Sequence, residues 1–191
     1  MSNIKKQIII SRSVKKIKKV TEVFLETLYF ASSVGEFLYS SEYSYLSCFR
    51  EGPFSDWSNS EISKKLYDME RVGYIKHDRK NRSIEFTNKA KIRIIDRISN
   101  VCRADGKLRF VSFDIPEQKR YLRDGFRKAI KRIGFKKVQK SLWVCNKNVS
   151  ELIETAIEEY KVNKYVTYIV ADKCDTDAFI NKMFTRKNPK K

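Results

Sequence analysis

Three prolines and six glycines in 191 residues are too few for a disordered chain. One histidine, His77, and four isolated cysteines, Cys48, Cys102, Cys145 and Cys174, with no C-x-x-C pair, make a structural zinc site an unpersuasive reading. Cysteines so sparse form no disulfide framework either, so reduced thiols in a cytoplasmic protein are expected. Long apolar runs are missing as well. Ile8 to Ile10 is too short for a signal-peptide core, and nothing approaches the ~20 residues of a membrane span, so no membrane association is expected. Acidic residues are scarce beside basic ones, 23 Asp and Glu against 41 Lys and Arg, which gives a formal net charge of +18. That excess points to a polyanionic partner.

Hydrophobic residues make up 41% of the chain, enough to build cores, and the length suits two small domains. Basic residues are abundant in both halves and crowd the two ends. Residues 1–16 read as a basic arm, continued by Lys18 and Lys19, and Arg186, Lys187, Lys190 and Lys191 form a similar tail. Such runs serve as phosphate-contacting arms or simply as solubilising ends.

Ile17, Val20, Phe24, Leu25 and Leu28 fall at helical spacing and predict a first helix. Glu42 to Arg50 is read as a shorter second helix, closed by Glu51-Gly52-Pro53. Ser58 with Glu61 forms a capping-box pattern that opens a third, with Ile62, Leu66 and Met69 as its buried stripe. The opposite stripe, Ser60, Lys64, Tyr67 and Arg71, could hydrogen-bond phosphates or base edges, although an ordinary solvated helix face looks the same. Val72-Gly73-Tyr74-Ile75 then stops the helix and starts a strand. Asp78 to Arg82 forms a basic turn, and Ser83 to Thr87 is the returning strand. A helix followed by a hairpin tipped with Arg79, Lys80 and Arg82 resembles winged-helix regulators, which implies that these three residues form a DNA-contacting wing. Those regulators usually end the second strand with Leu-Thr-x-x-Gly; here the run is Phe86-Thr87-Asn88-Lys89-Ala90, with Ala90 departing from the glycine. His77, at the foot of the wing, has no second ligand at metal spacing and reads as a surface residue. A helix over residues 89–100 leads to a boundary at Ala104-Asp105-Gly106, so the winged-helix domain spans 17–105.

The second half alternates strand and helix. Leu108 to Phe113 is a strand and Pro116 opens a helix whose buried side is Leu122, Phe126, Ala129, Ile130 and Ile133 and whose remainder is crowded with Lys and Arg. Gly134 ends it. Residues 135–139 and 141–145 read as two strands, Asn148 with Glu151 caps a further helix, and residues 164–171 form the fourth strand. The fold class is therefore α+β, an N-terminal winged helix followed by a ferredoxin-like β-α-β-β-α-β domain over 106–175. A short helix and the basic tail occupy 176–191.

Phe113-Asp114-Ile115-Pro116-Glu117, Arg120, Arg123, Gly134-Phe135 and Gln139-Lys140-Ser141-Leu142-Trp143-Val144 resemble the central domain of the phenylacetate-type (PaaX) transcriptional repressors. That domain is itself similar to the small CRISPR-associated adaptation endonuclease. The resemblance implies a homodimer that binds double-stranded DNA and regulates transcription by occupying an operator, with no cofactor needed for binding. Two recognition helices related by a two-fold axis would read a palindromic site. Those repressors carry a further C-terminal domain that is not seen here, so an acyl-CoA effector is not expected. Asp114 stands where the adaptation nucleases keep an aspartate. The alternative function is thus a metal-dependent endonuclease, with Asp114 catalytic and binding Mg²⁺, or a structural subunit of a CRISPR spacer-integration complex. Against it, an Asp just before a helix is commonly a cap or dipole partner.

Overall fold

The computed structural model describes residues 19–31, 49–50, 52–78 and 83–185. The expected second helix is described only at residues 49–50, which are helical, and the basic arm and tail lie outside the described residues. Among the described residues no helix is long and apolar enough to cross a membrane. The chain divides into two compact units that meet between Ile94 and Ile95.

In the first unit, helix α1 (residues 19–31) buries Phe24, Leu25 and Leu28. Phe24 stacks on Phe49 at 4.5 Å and meets Phe54 edge-on at 5.3 Å, so an aromatic cluster forms the centre of this core. Helix α2 (Asn59–Val72) starts at the expected capping box. The Ser58 N–H and hydroxyl both donate to Glu61 Oε2 at 2.8 Å, and these bonds hold the Glu61 carboxyl below its ordinary pKa. It stops at Gly73, whose φ of 78° is the left-handed conformation that closes a helix and that side chains disfavour. Ile62 and Met69 are buried as expected, whereas Leu66 is only half-buried. Strands β1 (Ile75–Asp78) and β2 (Ser83–Phe86) pair antiparallel with Ile75 opposite Phe86 and Asp78 opposite Ser83. Thr87 caps helix α3 (Asn88–Arg93) and donates to the Gly73 carbonyl at 2.8 Å, tying the hairpin to the end of α2. Ala90 is fully buried in the first turn of α3, an alanine seated where the winged-helix pattern expects glycine.

The single helix expected over residues 89–100 is two, because the chain breaks at Ile94 before helix α4 (Ile95–Val101). Adjacent residues point about 100° apart on an unbroken helix, and the break allows both Ile94 and Ile95 to be fully buried. The division between units thus falls earlier than Ala104-Asp105-Gly106. Helix α4 belongs with the second unit through Ser99, whose hydroxyl donates to the Ile133 carbonyl, and through the Asp96 to Arg132 ion pair.

The second unit carries β3 (Leu108–Phe113), α5 (Arg120–Ile133), β4 (Lys136–Lys137), β5 (Leu142–Cys145), α6 (Ser150–Glu159) and β6 (Val166–Ala171). The sheet order is β4-β5-β3-β6 and every neighbouring pair is antiparallel. Two β-α-β units are thereby interleaved, which is the ferredoxin-like arrangement expected from the sequence. The α5 residue Phe126 meets Phe113 of β3 edge-on at 5.3 Å, and Trp143 of β5 stacks on Phe113 at 6.4 Å, so α5 covers this face of the sheet. Gly125 permits a close approach of α6. A Cβ there would lie 2.4 Å from Tyr160 Cε1, so a residue that is otherwise a poor helix former fits. Strand alternation turns Phe110 and Val144 to the opposite face. There Leu108 and Val144 cluster with Ile180 of α7 (Asp177–Thr185), against which Phe110 and Phe184 also pack.

The strand expected over 135–139 pairs only at Lys136 and Lys137, because the Val138 and Gln139 N–H groups already turn back onto the Leu142 carbonyl. Asn148 does not cap α6: its N–H donates to the Arg103 carbonyl at 2.8 Å, Val149 occupies the cap position without a side-chain bond, and the Ser150 hydroxyl bonds the Tyr168 hydroxyl at 2.7 Å.

Arg109 is buried on β3 and pairs in two-pronged fashion with Asp105, at 2.6 and 2.5 Å. Those bonds lower the Asp105 carboxyl from 3.8 to about 2. A carboxyl depressed on folding contributes stability that is complete above its unfolded value and disappears as pH falls through the folded one. The wild type should therefore exceed Asp105→Asn in unfolding midpoint at pH 5, and the gap should close between pH 4 and 2. A gap that stays constant over that range in thermal melts would mean the pair does not act through ionisation.

Candidate nucleic-acid interface

Ser60, Lys64, Tyr67 and Arg71 are all exposed on one side of α2, opposite the buried Ile62 and Met69. Lys64 makes no ion pair among the described residues. Arg71 bonds Asp68 one turn back at 3.2 Å, but both side chains are solvated, and such a pair yields readily to a stronger anion. Tyr67 is 63% exposed and forms one wall of a depression of about 170 Å³ between α2 and the hairpin, shared with Ser63, Glu70, Ile75, His77 and Ile84. An aromatic ring, a hydroxyl and two cations thus share one helix face next to a hairpin. His77 is exposed on β1. Arg79, Lys80 and Arg82 lie outside the described residues; Asp78 and Ser83, which bracket them, are paired strand ends.

Helix α2 is anchored from behind, with Lys65 Nζ donating to Thr21 on α1 at 3.2 Å, a contact whose burial lowers the Lys65 pKa. Lys89 Nζ donates to the Val72 carbonyl at 2.8 Å and sits over the Tyr74 ring. The last turn of α2 is therefore fixed by side chains from α3 as well as by its glycine stop.

In the second unit Asp114 is exposed immediately after β3, and its N–H donates to the Tyr165 carbonyl at 3.0 Å. It caps nothing. The short 3-10 turn Glu117–Lys119 has Pro116 at its cap position, and α5 begins after Lys119, in both cases without a side-chain cap bond. Asp114 instead lines an open cleft of about 420 Å³ together with Ser112, Arg123, Arg127, Lys140 and Ser141. Sequence reasoning singled out Asp114 but not this grouping, since its members come from three segments spread over some thirty positions; the only local signal was the Lys140-Ser141 step before β5. Among the described residues no three His, Cys, Asp or Glu side chains come together as a metal-binding group. A lone carboxylate facing three cations is a poor donor set for Mg²⁺.

The model of the PaaX protein central Cas2-like domain matches residues 102–181. Neither the curated proteins nor the solved structures gave a match. With the interleaved β-α-β order already in place, residues 102–181 are thus similar to the central Cas2-like domain of the PaaX family.

Proposed function

We propose that this protein is a dimeric transcriptional regulator of the cytoplasm that acts by occupying an operator in double-stranded DNA, with the first unit as a winged-helix reader. The observation that carries the reading is the exposed Ser60, Lys64, Tyr67 and Arg71 face of α2, followed by a hairpin whose turn sequence supplies Arg79, Lys80 and Arg82. A helix of this kind offers hydrogen bonds to base edges and phosphates, and a basic hairpin tip tracks the adjoining backbone. The net charge of +18 supports a polyanionic partner, and the PaaX-type domain supports a regulatory role. A homodimer would place two such helices on the half-sites of a palindrome.

The test is selection of bound duplexes from a random pool by the purified chain, in the presence of Mg²⁺, with the recovered DNA sequenced and checked for cleavage. A two-fold symmetric motif on intact DNA is expected. Cleavage without a motif, abolished by Asp114→Ala, would replace this reading with a metal-dependent endonuclease.

A further inference from the structure

The cleft beside Asp114 has the chemistry of an oxyanion site. Arg123 and Arg127 stand one turn apart on α5, Lys140 and Ser141 close the space from the turn before β5, and Ser112 lies on β3. Arg123 spends one nitrogen on Glu117 at 2.8 Å, while its Nε is buried and has no acceptor among the described residues. Arg127 is steadied by Asp124 at 3.4 Å and by the Phe113 ring at 5.9 Å, which leaves most of its donors uncommitted. Lys140 and the hydroxyls of Ser112 and Ser141 bond no described residue. We propose that this cleft binds a phosphate group through Arg123, Arg127 and Lys140, and that it takes an anion where the neighbouring Asp114 would suggest a divalent cation.

Guanidinium groups match phosphate oxygens two at a time, a buried donor without an acceptor is satisfied by an incoming oxygen, and serine hydroxyls complete the shell. A divalent cation would meet Asp114 as the one carboxylate lining the cleft, beside three cations of which Arg123 and Arg127 already draw on Glu117 and Asp124. Asp114 has the opposite role in the two cases. For a metal it is the one indispensable ligand; for phosphate it is a like charge that weakens binding. The cleft lies within the second unit, and phosphate binding there does not depend on whether the first unit reads DNA.

The experiment is amide and Arg side-chain NMR of the full chain, titrated with inorganic phosphate and pyrophosphate at ionic strength matched with chloride. Perturbation is expected at Ser112, Asp114, Arg123, Arg127 and Lys140, with affinity falling roughly tenfold or more in the Arg127→Gln, Lys140→Gln double variant. Asp114→Asn should tighten phosphate roughly threefold or more. Because Lys140 is exposed, Lys140→Glu alone supplies a variant that keeps the fold and should also weaken binding. Perturbations equalled by chloride, or phosphate binding lost in Asp114→Asn, would overturn the proposal. A short duplex added to the phosphate-saturated protein separates the sources. Competition at the same residues identifies a DNA backbone phosphate, and undisturbed occupancy identifies a free organic phosphate.

Discussion

Replacing Phe126 by Ala should destabilise the second unit by about 3–5 kcal/mol, a large share of the roughly 5–15 kcal/mol that holds a domain together. Phe126 has no solvent exposure, and its ring meets Phe113, which in turn stacks on Trp143. Truncation removes a whole aromatic side chain from the junction of α5 with β3, and the buried Ile130 and Ile133 follow Phe126 on the same rigid helix and cannot close the void. Urea unfolding followed by Trp143 emission, with Trp57 replaced by Phe so that a single fluorophore reports, gives the number directly. A loss under about 1 kcal/mol would place Phe126 outside the core that organises the sheet.

Operator affinity should fall by about 1–3 kcal/mol, or roughly 5- to 150-fold, for Lys64→Ala and again for Arg71→Ala, with the circular dichroism spectrum and oligomeric state unchanged. Both side chains are exposed and neither supports the fold: Lys64 is unpaired among the described residues, and Arg71 meets only the solvated Asp68. Fluorescence anisotropy on the selected duplex measures the loss. Unchanged affinity in both variants would take α2 out of the interface altogether. Arg79→Ala and Lys80→Ala carry a different signature, weakening most sequences alike and reducing the slope of log affinity against log salt by about one each, since each phosphate contact releases counterions.

The local grammar of the chain was readable wherever one short segment decides the outcome. The Ser58 and Glu61 capping box formed as its spacing predicts, Gly73 and Gly134 stop their helices in the left-handed conformation, and the alternation of periods along 108–171 was enough for the interleaved sheet. Illegible features depend on residues distant in sequence. The break at Ile94 follows from the burial of two adjacent isoleucines. Asn148 looks like a cap until the Arg103 carbonyl claims its N–H. Of the candidate interface, the α2 face lies as its helical spacing implies, whereas the cationic surroundings of Asp114 became visible only when β3, α5 and the turn before β5 were brought together.

The two flanking helices of the second unit set where this protein can be cut. Residues 102–181 begin beyond α4 and end within α7, so a fragment trimmed to those limits loses the buried Ile95 and Ile98 of α4, with the Ser99 and Asp96 contacts to α5, and loses Phe184 from the Leu108, Val144 and Ile180 cluster. Bared apolar surface on both sides of a small sheet invites self-association. Such a fragment should precipitate on concentration, whereas one spanning Ile95 to Thr185 retains both covers and should stay monodisperse.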